Sequence, residues 1–305
     1  MDLYITNTTD AQMLSQLRKL NAVMSEAARQ VATGRRVQVA SDSPADVQAI
    51  IQHQTDLSRV AQSQNNLNKL NSEVSMASTV LESAAKLMDQ IRTIGAQAGS
   101  TITDTPTRQV LAAQLQDLET QMVGIANSTN TGRYLFGGDK DSTPPYSIDF
   151  SIVPPTPPFT ALNGAAATRM GLDSFGNTFP IAMTATNIFD SSTPGNNILQ
   201  SIENLRQGLL TGDATEVATA NADLGTSAAH LGSVQAYYGT AMATIATSLD
   251  FAAKSQLSLQ TEQTLLIGAD MAEAITAEQA AQTQQQAILA MRAKMPRGSL
   301  FDMLG

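Results

Sequence analysis

The stretch from Leu67 to Ile94, LNKLNSEVSMASTVLESAAKLMDQIRTI, decides the fold class. Within it Leu67, Leu70, Val74, Ala77, Leu81, Ala84, Met88 and Ile91 recur at alternating steps of three and four residues. That spacing lays them along one stripe of an α-helix, the seam by which coiled-coil helices pack. Val80, Leu87 and Ile94 repeat every seven residues beside the stripe and widen it towards a third helix. Upstream, Ser43-Pro44-Ala45-Asp46 supplies a cap hydroxyl, a proline at the first helical position and a carboxylate in the first turn. A helix from Pro44 to about Ala98 runs about 80 Å, longer than a small domain is wide, and predicts a rod.

Working outward, the same spacing returns on both sides. Met13, Leu17, Leu20, Met24, Ala27 and Val31 keep it up to Gly34, a natural helix end. A loop over 35–42 follows. Thr105-Pro106 starts another helix with Leu111, Leu115, Leu118, Met122 and Ile125 in register. Late in the chain the pattern resumes at Ile198, Ile202, Leu205 and Leu209, and restarts at Asp213-Ala214-Thr215-Glu216. A last seam through Tyr238, Met242, Ile245, Leu249, Ala252, Leu259 and Leu266 is expected to continue past Gly268 through Met271, Ile275, Ile288 and Met295 until Pro296. Between the helical halves, residues 139–197 hold eight prolines, from Pro144 to Pro194, and only short strand-like runs such as 146–153 and 179–183.

The expected fold is therefore mainly α: a long coiled-coil helical rod formed by both chain ends, with a small β-rich insertion domain. Three parts are predicted. Residues 1–40 and 268–305 are terminal coiled-coil assembly helices. Residues 41–138 and 198–267 form the helical rod, and 139–197 form a Pro/Gly-rich surface module. The terminal helices are rich in Ala and Gln and poor in large apolar side chains. Alone they bury little area, so they gain firmness only when neighbouring subunits cover them.

Composition narrows the function. The 305 residues include no Cys and no Trp, and aromatics are 4% of the chain. Without cysteine there are no disulfides, thiol nucleophiles or thiolate zinc sites. A formal charge of −9 argues against a nucleic-acid groove or an anionic membrane surface. No stretch is apolar over the length a membrane helix needs, and the first residues, MDLYITN, carry no secretory signal pattern.

Candidate chemistry is thin. Ser83-Ala84-Ala85-Lys86 has the spacing of a serine acyl-enzyme motif, but it sits mid-seam without companion motifs and reads as a solvated helix face. His53 and His230 are the two histidines, each on a predicted helix without a ligand-spaced partner. Asp139 and Asp141 in a glycine-flanked loop lack the rest of a calcium loop. No catalytic, cofactor-binding or metal-binding residues are assigned, and the chain is not read as an enzyme.

Several segments resemble the flagellin family. Thr33-Gly34-Arg35-Arg36 followed by Ala40-Ser41-Asp42-Ser43-Pro44-Ala45 is similar to its N-terminal motif, with Ser43 where the family usually carries Asp. Asp270-Met271-Ala272-Glu273 and Ser299-Leu300-Phe301-Asp302-Met303-Leu304 resemble its C-terminal motifs. The run Gly132-Arg133-Tyr134-Leu135-Phe136-Gly137-Gly138, with Pro144-Pro145-Tyr146 after it, is similar to the turn of the family's hook-associated branch rather than to that of filament flagellins.

The resemblance implies a structural adaptor of the bacterial flagellum, joining the hook, through hook-associated protein 1, to the flagellin filament. It implies export through the flagellar type III apparatus, an extracellular location at the hook–filament junction, and four kinds of partner: hook-associated protein 1, flagellin, further copies of the chain in a ring or tube, and an export chaperone. Met13, Leu17, Leu20, Met24, Ile288, Leu300, Phe301 and Leu304 are the expected assembly contacts. Rival readings are a filament flagellin and a coiled-coil tip or translocon protein of a type III secretion system.

Overall fold

The structure, a computed structural model, describes residues 3–100, 104–152, 156–162, 168–173 and 176–294, the side chains of 3–10 and of Ser100 excepted. It is mainly α. The long helices are α1 (Leu3–Thr33), α2 (Val47–Ser100), α3 (Thr105–Ala126), α5 (Ile198–Thr211), α6 (Ala214–Ile267) and α7 (Met271–Lys294), with a short α4 at Ala185–Phe189. Six short strands pair two by two, all antiparallel: β1 (Thr129–Asn130) with β2 (Arg133–Tyr134), β3 (Tyr146–Ile148) with β4 (Phe159–Ala161), and β5 (Met170–Leu172) with β6 (Thr178–Pro180). No described helix is long and apolar enough to cross a membrane.

The chain divides into two compact units, one of Met1–Arg59 with Gln256–Gly305 and one of Val60–Ser255. Each is taken by itself. In the larger unit the predicted seam is the core. Leu67, Val74, Leu81, Ala84, Met88 and Ile91 of α2 are buried with Leu111, Leu115 and Met122 of α3, Ile198, Ile202, Leu205 and Leu209 of α5, and Leu224, Leu231, Tyr238 and Ile245 of α6. Gly95 lets α2 lie close to α6: a Cβ there would meet the Asn221 side chain at 2.0 Å, and Asn221 Nδ2 donates to the Gly95 carbonyl at 2.9 Å. The αL turn at Gly212 (φ 75°) ends α5, and Asp213 then caps α6 with its carboxylate at 2.8 Å from the Thr215 N–H.

The insertion departs from expectation. Its Tyr146, Phe159, Ile181, Ala182, Ile188 and Phe189 belong to the same hydrophobic cluster as the helices. The described part of 139–197 is therefore not detached from the helices; these apolar side chains share their core. Their strands are three residues each, too short to show an alternating pattern, so β4, β5 and α4 went unread in the sequence.

In the smaller unit α1 packs on α7. The last seam is not continuous here. α6 stops at Ile267, Gly268 donates its N–H to the Thr264 carbonyl at 2.7 Å, and a Cβ at Gly268 would meet that oxygen at 2.5 Å. Asp270 then starts α7, accepting from the N–H groups of Ala272 (2.9 Å) and Glu273 (3.1 Å). The start of α2 also differs: the helix opens at Val47, and Ser43 Oγ donates to the Asp46 carboxylate at 2.7 Å instead of capping a first turn.

Candidate functional site: the glycine-rich turn and the terminal helix pair

The run from Gly132 to Gly138 leaves a tight hairpin and feeds Leu135 and Phe136 into the core. Asn127, at the end of α3, sets its frame: its side-chain amide donates to the Tyr146 carbonyl at 2.8 Å and accepts the Tyr146 N–H at 2.9 Å. β1 and β2 are joined by the two residues Thr131 (φ 51°) and Gly132 (φ 81°). Two successive positive φ values make the tight turn whose twist suits a hairpin, and glycine takes the second without strain. Arg133 pairs with the Asp141 carboxylate, and the Tyr134 N–H donates to the Asp141 carbonyl at 2.8 Å, so the chain folds back on itself.

Leu135 and Phe136 then point inward and are buried. Phe136 meets Phe189 edge-on at 5.8 Å between centroids and Tyr238 at 6.5 Å. Its carbonyl accepts the Ala185 N–H at 2.8 Å, tying the turn to α4. Gly137 is required by space: an added Cβ would stand 2.6 Å from the Asp141 Cα. Arg169, at the edge of β5, donates to the Leu135 carbonyl at 3.0 Å and pairs with Glu73 of α2. Tyr238 anchors the other side, its phenol accepting the Met183 N–H at 3.1 Å; burial pushes that phenol well above the ordinary tyrosine range. The sequence pointed to the turn and placed Tyr238 on the last seam, but it did not point to Asn127 or Arg169 or to the hydrogen bond of Tyr238, whose partners lie far along the chain.

In the smaller unit, Met13, Leu17, Leu20 and Met24 of α1 and Ile288 of α7 are half-buried. Among the described residues of these two helices the fully buried ones are alanines, Ala27, Ala274 and Ala281. Gln285 adds a hydrogen bond to the Asn21 side chain at 3.0 Å. Leu14, Val23, Met271, Ile275, Leu289 and Met291 remain exposed. Leu300, Phe301 and Leu304 lie outside the described residues. The loop after α1 is ordered by its charges. Arg36 donates to the Leu266 carbonyl at 3.0 Å and to Asp46 at 3.2 Å. The Asp42 carboxylate accepts the Val39 and Gln38 N–H groups, which hold it below the ordinary carboxylate range.

The other sequence candidates have structural partners. Ser83 Oγ donates to the Thr79 carbonyl at 3.2 Å on an exposed helix face. His53 Nδ1 lies 3.7 Å from Glu262, and His230 Nε2 lies 3.0 Å from the Asn187 carbonyl. Among the described residues no group of three or more His, Asp or Glu is placed to hold a metal ion.

Comparison with known proteins places these features. Residues 5–141 match the family model of the bacterial flagellin N-terminal helical region. The chain is similar to flagellar hook-associated protein 3 of Escherichia coli, 29% identical over 171 residues that make up 54% of this chain and 49% of that protein. It is also similar to flagellar hook-associated protein 3 of Salmonella typhimurium, 26% identical over 249 residues, 70% of this chain and 76% of that one. The match thus spans about half of the first relative and about three quarters of the second. Among solved structures, a provisionally named flagellar hook-associated protein from Vibrio parahaemolyticus shares the fold with a TM-score of 0.66 at 18% identity, covering 74% of this chain and 99% of that one.

Proposed function

We propose that this chain, whose residues 5–141 match the flagellin N-terminal helical region, is a structural, non-enzymatic adaptor joining the hook to the filament of a bacterial flagellum. The observation that carries the reading is the α1–α7 pair. Two long helices meet over alanines while Leu14, Val23, Ile275, Leu289 and Met291 stay in water. A pair that buries so little is a weak structure in one copy and a good surface for several, because apolar faces of this extent are covered in assemblies.

In this reading residues 1–40 and 268–305 are the assembly helices, and 41–138 with 198–267 form the body they extend from. Met13, Leu17, Leu20, Met24 and Ile288 face neighbouring copies, as do Leu300, Phe301 and Leu304 near the chain end. Copies pack head to tail around an axis, which yields a ring or an open tube according to the rotation between them. The partners are hook-associated protein 1 below, flagellin above, and an export chaperone before the chain leaves the cell through the flagellar type III apparatus. The turn at 132–138, of the hook-associated type, favours the junction over the filament itself.

Deleting the gene tests this reading. Electron microscopy is expected to find hooks without filaments, flagellin in the medium and no swimming. Full-length filaments on the deletion strain would overturn it.

A further inference from the structure

Two carboxylates and one guanidinium are buried together where α3 packs on α5. Glu119 of α3 is fully buried, and neither of its carboxyl oxygens has a hydrogen-bond partner. Opposite it, Glu203 of α5 is 4% exposed and takes the whole fork of Arg206, from Nε at 2.6 Å and Nη2 at 2.8 Å, and a further bond from Gln207 at 2.7 Å. The Phe150 ring, from the segment after β3, covers the guanidinium at 5.4 Å. Arg206 Nε comes only to 4.0 Å of Glu119.

The charge count decides the protonation. With both carboxylates ionised the cluster holds one uncompensated negative charge away from water, a costly arrangement. With a proton on Glu119 the cluster is neutral, and the Glu203 carboxylate beside it can accept that proton in a hydrogen bond. We propose that Glu119, Glu203 and Arg206 form a proton-holding latch between α3 and α5, closed while one proton sits on Glu119 and loosened when that proton leaves.

Burial, and after it the neighbouring charge of Glu203, push the Glu119 carboxyl up to about 8, with Arg206 opposing only in part. Among the described residues no other charge acts on Glu119 beside Glu203 and Arg206. Asp117 of α3 and Asp149 beside Phe150 are exposed, as are Glu82, Lys86, Asp89 and Arg92 of α2. A carboxyl raised above its unfolded value of 4.5 binds more protons folded than unfolded between the two values. Stability from this group is therefore fully present below about pH 4.5 and is lost as pH rises, levelling off above about 8.

Chemical denaturation of the full chain from pH 6 to 9, beside Glu119→Gln, is the test. The glutamine keeps the shape without the titration. The wild-type unfolding constant is expected to rise roughly tenfold per pH unit up to the midpoint, and the variant is expected to lose that slope and to exceed the wild type in stability at pH 9. An equal slope in both proteins would overturn the latch. Should the variant fold poorly, the Glu119 carboxyl carbon can be followed by NMR in the wild-type chain. A midpoint near the ordinary glutamate range would overturn the proposal, and one above pH 7 would support it.

Discussion

Phe136→Ala is expected to lower the unfolding free energy of the protein by about 3–5 kcal/mol, the usual cost of emptying a large aromatic site in a packed core. Phe136 has no exposed surface, meets Phe189 and Tyr238 edge-on, and sits in a turn that is fixed at both ends by the Asn127 clamp and the Arg169 bond to Leu135. Those fixed ends leave the site little freedom to collapse on the cavity, which places the cost at the upper end of the range. Urea denaturation followed by circular dichroism measures it. A loss under about 1 kcal/mol would mean that the turn does not anchor the core.

The larger effect is expected from cutting out residues 140–195 and bridging the ends with a short Gly/Ser linker. Read from sequence, that insertion is a separable module, and its removal would leave a stable helical body. In the structure it contributes Tyr146, Phe159, Ile181, Ile188 and Phe189 to the core. At about 1.5–3 kcal/mol for each buried side chain of this size, their burial adds on the order of 7–15 kcal/mol, as large as the whole net stability of an ordinary domain. The cut would also strip the cover from Leu135, Phe136 and Tyr238. The truncated chain is therefore expected to lose its cooperative thermal melt. A sharp helical transition at the wild-type temperature would return the insertion to the status of a detachable module.

What could be read in the sequence, and what could not, follows from the range of the interactions. The seam from Leu67 to Ile91 is a local pattern with the period of the helix, and every large side chain in it except the half-buried Leu70 is buried as the spacing predicts. Gly34 likewise ends α1, with φ at 67°. The break at Gly268 was missed because apolar residues resume soon after it, at Met271 and Ile275; the Gly and Asp270 signals were present but short. The insertion's place in the core was missed for a different reason. Its strands are three residues long, and the contacts that hold it, such as Met183 to Tyr238 and Arg169 to Glu73, join residues far apart in the chain. The turn at 132–138 was visible only by its likeness to a family, since neither Gly137 against Asp141 nor the Asn127 clamp has a periodic signature. Glu119 falls off the apolar stripe of α3 and carries no sequence signal of burial. Only the packing of α5 shows it buried beside a second acid.

These elements support one account in which the body of the chain is stable by itself and the terminal helices wait for neighbours. In the proposed function the protein stands between hook and filament. A peptide tag inserted between the exposed residues Ser192 and Thr193, detected by immunogold electron microscopy on intact flagella, tests that claim most directly. Gold confined to a narrow zone where the filament meets the hook is the predicted result. Gold spread along the length of the filament would contradict it and make the chain a filament subunit.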